Sequence, residues 1–162
     1  MSALQHQVEQ FLYEKSALCD TRDWDAYVGL FTEDCEFHLP QWNSEYDYTR
    51  DPRTGISLIY YSSRAGLEDR VFRLRTGKAS SALPLPRTLH KISNVRITEE
   101  SADELVVEAG WHTLFTRMNK AEEFYGYVTY RLVKTDDGFR IRRKHIVLLN
   151  DVINSVLDFY HL

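Results

Sequence analysis

Cysteine is scarce in this chain, which has 162 residues and two thiols, Cys19 and Cys35. Two cysteines cannot build a disulfide framework, so we expect two buried thiols in a cytoplasmic protein. Long apolar runs are also missing, since no stretch approaches the roughly 20 residues that a membrane-spanning helix requires. The first residues, MSALQHQVEQFLYEK, reach charged side chains and glutamine too early for a signal peptide. These absences predict a soluble, intracellular chain.

Positive charge is not in excess either. The chain has 20 Lys and Arg against 24 Asp and Glu, a formal net charge of −4. A nucleic-acid-binding protein is usually basic overall or carries a basic arm, and this chain has neither. The sequence contains no glycine-rich phosphate loop, no GxSxG nucleophile elbow and no pair of histidines at helical i,i+4 spacing. Neither nucleic acid, nor a nucleotide, nor a metal ion is therefore signalled as a ligand.

Apolar residues are plentiful by contrast. Hydrophobic residues make up 43% of the chain and aromatic residues 13%, which is enough for a sizeable core and excludes disorder. No linker, repeat or low-complexity segment divides the sequence. We therefore expect a single domain over residues 1–162.

Helices are predicted in the first half of the chain. Apolar residues recur at helical spacing from Leu4 to Leu18, which predicts a first helix of about four turns. The segment from Asp20 to Asp23 offers N-cap chemistry for a short second helix, WDAYVGLF at 24–31. CEFHLP then reads as extended and QWNSEYDYTRDPRTG as a loop. An apolar stripe predicts a third helix from Ile56 to about Arg75.

The apolar period changes from 3.6 to 2 after the loop SSALPLP, which predicts strands. The expected strands lie at residues 87–98, 104–117, 123–134 and 139–149. Asp137–Gly138 fits a tight hairpin between the third and fourth of them. The last strand is expected to be mixed, with one face formed by Phe139, Ile141, Arg143, His145, Val147 and Leu149.

Helices followed by a meander of long strands predict an α+β fold. About three N-terminal helices would pack on one face of a long, curved, mostly antiparallel sheet. Such a sheet over three helices forms a cone with a hollow. The hollow can hold a ligand or be filled by the protein's own side chains.

The strongest case for catalysis uses this hollow. Asp34, His38, His90 and His112 are at or near strand positions, and Tyr27 is close by in the sequence. An Asp–His pair in an apolar cavity could perform general acid–base chemistry, such as a dehydration or an isomerisation. The alternative is that these histidines are satisfied members of the core or the rim. A small-molecule binding module, which needs an open cavity but no acid–base pair, is a third interpretation.

Arginine is concentrated in residues 62–78, SSRAGLEDRVFRLRTGK. The candidate subunit interface comprises the charged residues Arg64, Glu68, Asp69, Arg70, Arg73 and Arg75. Two pairs of opposite charge lie four residues apart, and two arginines are left without an acidic partner on the helix. Guanidinium groups suit carboxylates and carbonyls across a desolvated contact, which favours a surface for another protein. A solvated, ion-paired face and a polyanion site are the alternatives.

The segment after the last predicted strand, NDVINSVLDFYHL, is apolar without a clean period. Such a tail is costly to leave in water. It either folds back onto its own domain or docks on a partner.

Several stretches of the chain together resemble one known family. They are DTRDWDAYVGLFTEDCEFHLP, LIYYSSRAGLEDRVFRLRTGKASSALPLPRTLHKISNVRI and FRIRRKHIVLLNDVINSVLDFYHL. The chain resembles the small (β) subunit of aromatic-ring-hydroxylating dioxygenases, and within that family it looks most like the benzoate/anthranilate type. The resemblance implies the cone-shaped fold of nuclear transport factor 2 (NTF2), which several small isomerases and dehydratases share.

The resemblance also implies a division of labour. The large (α) subunit carries a Rieske [2Fe–2S] cluster and a mononuclear iron, and a reductase component acts on the complex. A trimer of small subunits forms a base for three large subunits, an α3β3 assembly. The present chain would then be a non-catalytic structural subunit of a benzoate or anthranilate 1,2-dioxygenase, without catalytic, metal-binding or cofactor-binding residues. A Rieske site needs C-x-H and C-x-x-H, and only Cys35 to His38 matches the second spacing.

Two hypotheses from different classes therefore stand side by side. The first is the structural oxygenase subunit. The second is a free-standing small cavity enzyme of the same fold that uses Asp34, His90 and His112 or a subset of them. An interior filled by large side chains, namely Trp111, Phe115 and Tyr130, would count against the second hypothesis. The sequence leaves benzoate and anthranilate equally open, because substrate contacts are expected on the large subunit.

Overall fold

The fold is described by a computed structural model over residues 2–77 and 83–162. Lys78 and part of the predicted SSALPLP loop, residues 80–82, lie outside the described residues. The helices are α1 (Ala3–Asp20), α2 (Trp24–Gly29), α3 (Arg64–Arg75) and a 3₁₀ helix (Phe159–His161). The strands are β1 (Phe31–Pro40), β2 (Ser57–Tyr61), β3 (Arg87–Glu100), β4 (Glu104–Arg117), β5 (Lys120–Thr135) and β6 (Gly138–Leu148).

Side chains cap the first two helices at their starts. The Ser2 hydroxyl accepts a hydrogen bond from the amide of Gln5 (3.1 Å), and the Asp23 carboxylate accepts one from the amide of Ala26 (3.4 Å). The predicted cap between Asp20 and Asp23 is thereby confirmed. α1 has 18 residues, about five turns, and is longer than expected. α2 ends at Gly29, so the last residue of the predicted helix, Phe31, begins β1 instead.

The predicted start of the third helix at Ile56 is wrong. Residues Ser57–Tyr61 form β2, which pairs antiparallel with β1 so that Ile59 lies opposite Leu39. The segment SLIYY is rich in aromatic and β-branched residues, which fit a pleated surface. Its apolar residues coincide with helical spacing, but pairing along β1 determines the structure. The helix begins only at Arg64 and ends at Arg75, as predicted.

One sheet contains these strands in the order β2-β1-β6-β5-β4-β3. Strands β3 to β6 form the predicted meander, and β1 joins it parallel to β6. The observed bounds of these meander strands lie within three residues of the predicted ones. The hairpin between β5 and β6 closes with Thr135 opposite Gly138, one residue earlier than predicted. The helices share a single core with one face of this curved sheet, which confirms the α+β expectation.

A β-bulge changes which side chains of β6 face the core. The pairing of β5 with β6 shifts between Arg131 and Leu132, which leaves Arg142 as the extra residue. Phe139 and Ile141 are buried before the bulge, and the even-numbered residues are buried after it: Lys144, Ile146 and Leu148. The predicted mixed face is therefore wrong, because Val147 and Leu149 do not share a side of the strand with Ile141.

The exposed edge of the sheet, β3, is partly covered by side chains of α1. The Asp20 carboxylate accepts hydrogen bonds from the backbone amide of His90 (3.1 and 3.2 Å), and the Gln5 side chain donates to the carbonyl of Val95 (2.9 Å). Free edge groups invite pairing with another chain, so these contacts protect the edge. They also fix α1 against the strand that carries His90.

Candidate functional site

The hollow of the cone is filled by the protein's own side chains. Trp111, Phe115 and Tyr130 are 5%, 5% and 1% exposed, and the indole of Trp111 donates to the carbonyl of Tyr127 (3.0 Å). The enclosed space that remains beside them has a volume of roughly 10 Å³. Such a space holds about one water molecule and no organic substrate. The crowded interior therefore counts against a cavity enzyme.

The structure does not bring Asp34, His90 and His112 together. Asp34 lies on the outside of β1, 70% exposed, with its carboxylate 3.9 Å from the guanidinium of Arg142. Residues alternate along β4, so His112 points away from the core and contacts Glu123 (2.7 Å). Of these three residues, His90 alone is buried, at 8% exposure. The acid–base triad of the cavity-enzyme hypothesis is therefore wrong.

The acidic partner of His90 is Asp20, at the end of α1. The Asp20 carboxylate accepts hydrogen bonds from the His90 ring Nδ1 and from the hydroxyl of Thr88 (2.9 Å). Burial acts to raise the pKa of Asp20, but the hydrogen bonds from His90 and Thr88 lower it below its usual value. Burial lowers the pKa of His90 despite its acidic partner. At neutral pH Asp20 is thus ionised, and the His90 ring is neutral with its proton on Nδ1.

Two lysines that no sequence motif marks as site candidates lie in the same interior. Lys15 of α1 and Lys144 of β6 are each 1% exposed. The Lys144 amine donates to the main-chain oxygen of Leu162 (3.1 Å). Burial lowers the pKa of Lys144 well below its ordinary value, and the neighbouring charge of Lys15 lowers it further.

A sequence signal existed for Lys15 but not for Lys144. Lys15 falls four residues after Phe11 and four before Cys19, within the buried stripe of α1. Lys144 reaches the core only because of the bulge in β6, which sequence alternation does not reveal. The sequence places Asp20 in the turn after the first helix. Its contact with His90 joins positions 70 residues apart, which sequence spacing does not indicate.

Both predicted buried thiols are confirmed. Cys19 and Cys35 are free, and 1% and 0% exposed. Burial raises the pKa of Cys19 to about 12 and that of Cys35 to about 11, so both remain protonated thiols. His38 lies three residues after Cys35 but bonds through Nε2 to the hydroxyl of Ser57 (2.9 Å). Within residues 2–77 and 83–162, no three His, Cys, Asp or Glu side chains form a group suited to a metal ion.

The arginine-rich helix α3 is paired with acids of its own chain. The predicted i,i+4 contacts are present: Arg64 with Glu68 (2.8 Å) and Arg73 with Asp69 (2.9 Å). The two arginines predicted to be in excess reach other segments: Arg75 contacts Asp25 of α2 (2.9 Å), and Arg70 contacts Asp158 before the 3₁₀ helix. The local charge of the helix is therefore largely compensated.

The apolar tail, residues 150–162, divides into two parts. Residues Asp158–Leu162 fold back into the core and are almost fully buried. The Asp158 carboxylate accepts from the amide of Phe159 (2.8 Å), and the His161 ring accepts from the amide of Asp158 (3.0 Å), which closes a capping box. The preceding apolar residues remain exposed: Val152 (67%), Ile153 (39%) and Val156 (73%).

No helix in the described part of the chain is long and apolar enough to cross a membrane.

Comparison with known proteins identifies close relatives of the whole chain. A family model described as "Ring hydroxylating beta subunit" matches residues 14–155. The anthranilate 1,2-dioxygenase small subunit of Acinetobacter baylyi is 56% identical over 155 residues, which cover 96% of this chain and 95% of that protein. The crystal structure of the benzoate 1,2-dioxygenase β subunit of Burkholderia mallei is 36% identical, with a TM-score of 0.81 over 96% of this chain and 95% of that one.

A more distant structure supports the fold. An NTF2-like protein with a cystatin-like fold from Novosphingobium aromaticivorans has a TM-score of 0.62 at 17% identity, and the match covers 95% of this chain and 88% of that one. At this identity the likeness concerns the fold alone. The predicted NTF2-like fold is confirmed.

Proposed function

Because the chain belongs to the family of ring-hydroxylating dioxygenase β subunits, we propose that its oxygenase acts on anthranilate. Its function is that of the small subunit of an aromatic-ring-hydroxylating dioxygenase of the anthranilate/benzoate type. One observation carries the choice of substrate: identity is 56% to an anthranilate 1,2-dioxygenase small subunit and 36% to a benzoate 1,2-dioxygenase β subunit.

The test uses the chain in its own complex. The tagged chain is purified from its source cells grown on anthranilate or on benzoate, and native mass, visible absorption and turnover of each acid are measured. We expect a coloured complex with a larger chain that consumes anthranilate faster than benzoate. A coloured complex that prefers benzoate contradicts the substrate proposal. A colourless protein without a larger partner contradicts the subunit function.

We propose further that the chemistry takes place on the large subunit, in the cytoplasm. A Rieske cluster and a mononuclear iron on that subunit would supply electron transfer and oxygen activation, with electrons from a reductase. The donor set of the present chain does not suit either centre, because Cys35 and His38 point to opposite sides of β1 and His38 is bonded to Ser57. The thiols of Cys19 and Cys35, both free, suit a reducing compartment.

The exposed face of helix α3 is proposed as a contact between subunits in an assembly of three large and three small subunits. The proposed interface comprises Arg64, Glu68, Asp69, Arg70, Arg73 and Arg75, together with Phe72. Phe72 is 55% exposed in the isolated chain, and it lies about one helical turn after Asp69 and one before Arg75. An aromatic side chain framed by arginine is typical of an interface centre.

Arg73→Glu tests this contact with little effect on the fold. The Arg73 side chain is 52% exposed, so its reversal costs the helix only a few tenths of a kcal/mol. We expect assembly with the large subunit to weaken about tenfold or more, measured by titration and native mass. Arg96→Glu on β3 is the matched control, since Arg96 is 67% exposed and pairs with Glu108 in the same manner. Equal assembly of both variants would exclude α3 from the interface.

A further inference from the structure

One face of the sheet is left open by the helices. The buried residues of β4 and β5 point toward the helices and the shared core, so the residues between them form the opposite, outer face. A sheet with one solvated face normally carries polar side chains there. The outer face instead carries six apolar or aromatic residues, which we call the outer band: Leu89, Leu114, Tyr125, Tyr127, Val147 and Leu149.

The outer band is continuous across the four strands β3 to β6. Leu89 lies opposite Leu114, Tyr125 is the diagonal neighbour of Leu114 on the next strand, and Tyr127 lies opposite Val147. The exposed fraction is 62% for Tyr127, 52% for Leu89 and 41% for Tyr125. A connected apolar patch of this kind marks a surface that another molecule covers.

The charges around the outer band are of both signs. Arg143 bonds to Glu36 (2.8 Å) on the side of β1, and Arg96 bonds to Glu108 (2.9 Å) on the side of β3. A strongly acidic or strongly basic partner would meet like charge in each of these pairs. A surface that itself carries balanced pairs is not repelled, and the same face on another copy of the chain has this property.

The shape of the outer face is also complementary to itself. An open trough of roughly 850 Å³ crosses it, with Tyr48 and His145 toward β1 and Arg96 toward β3. Its floor includes Gly110, which has no side chain and lies opposite Tyr127 in the register. A projecting aromatic ring thus stands beside a hollow. One copy can insert its ring into the trough of the next copy, as in a closed ring of identical subunits.

We propose that copies of this chain pack against one another through the outer band, so that the sheet of one copy covers the sheet of the next. Four strands about 4.8 Å apart present a face of roughly 20 by 30 Å, which approaches the area that one partner of a stable complex buries. The inference rests on the proposed function, in which several small subunits share one assembly. Helix α3 packs on the opposite side of the sheet through Leu67, Val71 and Leu74, so its exposed face is left to the large subunit.

The experiment measures self-association of the full chain by sedimentation and native mass over a range of concentrations. Tyr127→Glu places a charge at the centre of the outer band, and we expect it to weaken self-association by about thirtyfold or more. Leu89→Lys, at the far end of the outer band, should weaken it as well. Tyr46→Glu is the matched control, since Tyr46 is 90% exposed in the loop between β1 and β2 and should associate like the unchanged chain. All three positions are exposed, and the melting temperature at low concentration checks that each variant is folded.

The copies of the small subunit in the complex with the large subunit are counted by native mass in parallel. Tyr127→Glu should reduce this number while each small subunit still binds a large one. The proposal is overturned if Tyr127→Glu and the unchanged chain show the same number of copies, both alone and in the complex. It is also overturned if Tyr127→Glu loses the large subunit rather than the other copies, because the large subunit then covers the outer band. A chain that self-associates through Tyr127 but captures no larger coloured partner would contradict the proposed function and leave this contact standing.

Discussion

Of the seven glycines of the chain, Gly126 has the least room for a side chain. A Cβ atom at this residue would lie 1.8 Å from the carbonyl oxygen of Val147 and 3.2 Å from the indole nitrogen of Trp111. Trp111 is paired across the strands with Gly126, and its ring fills the centre of the cone. The missing side chain thus permits both the close approach of β5 to β6 and the packing that closes the hollow.

Gly126→Ala should destabilise the chain by about 3 kcal/mol or more, because backbone atoms must move to admit a methyl group. Gly29→Ala is the matched control: nothing lies within 4 Å of its added Cβ, and alanine is the better helix former at the end of α2. The control should be neutral or stabilise by up to about 1 kcal/mol. Urea unfolding of both variants measures the difference. A loss of less than about 1 kcal/mol for Gly126→Ala would show that the two strands can separate without cost.

At the scale of single residues, the sequence revealed composition but not contacts. Phe115 and Tyr130 could be placed in the hollow because strand alternation has a period of two. Asp20 could not be paired with His90, because the meeting of a helix end with an edge strand depends on tertiary packing. Lys144 could not be placed at all without the bulge that changes the inward face of β6.

The 3₁₀ helix at Phe159–His161 is the element that seals the core. Its aromatic residue Phe159 packs against Trp24 and Tyr27 of α2, with ring centres 5.2 and 5.8 Å apart. An ion pair from Arg70 of α3 to Asp158 also ties this helix to the rest of the chain. The Asp158 side chain is 4% exposed, so its carboxylate is buried beside that guanidinium group.

Arg70→Met should therefore cost about 2–4 kcal/mol, since it leaves a buried carboxylate without its cation. Hydrogen exchange at residues 159–162 should accelerate more than exchange in the sheet. Arg73→Met on the same helix is the control, because its ion pair is exposed and should be worth less than about 1 kcal/mol. Similar losses in the two variants would contradict a special role for the Asp158 contact. For the same reason Arg70 is a poor probe of subunit assembly, and Arg73 is the better one.

Elements were predictable where local pattern and tertiary environment agree. Residues of β4 and β5 alternate in burial as they alternate in the sequence, so these strands could be read directly, whereas the alternation of β6 shifts at its bulge. Residues 56–61 were misassigned because a short apolar run fits both a helix and a strand, and only pairing with β1 decides. The start of α3 was placed too early as a consequence.

Across the whole molecule, the buried histidines are held in their neutral form. Burial lowers the pKa of His38, His90, His145 and His161 below the ordinary value, to about 4 for His145 and about 3 for His161. They lie on β1, β3, β6 and the 3₁₀ helix, so protonation opposes several parts of the fold at once. The subunit should accordingly be sensitive to acid.

The sign of that sensitivity follows from proton binding. Because each of these pKa values is lower in the folded chain than the usual value of about 6.5, the unfolded chain binds more protons as the pH falls below that value. The free energy of unfolding should therefore fall between pH 7 and pH 4.5, and His161, which is 3% exposed, should contribute about 2–3 kcal/mol of the loss.

His161→Asn, whose side-chain oxygen can still accept from the amide of Asp158, should flatten this pH dependence by that amount in urea unfolding. His6→Asn is the control, because His6 lies on the exposed side of α1. If both variants keep the full acid dependence, His161 is not a source of it and the other buried histidines account for the loss.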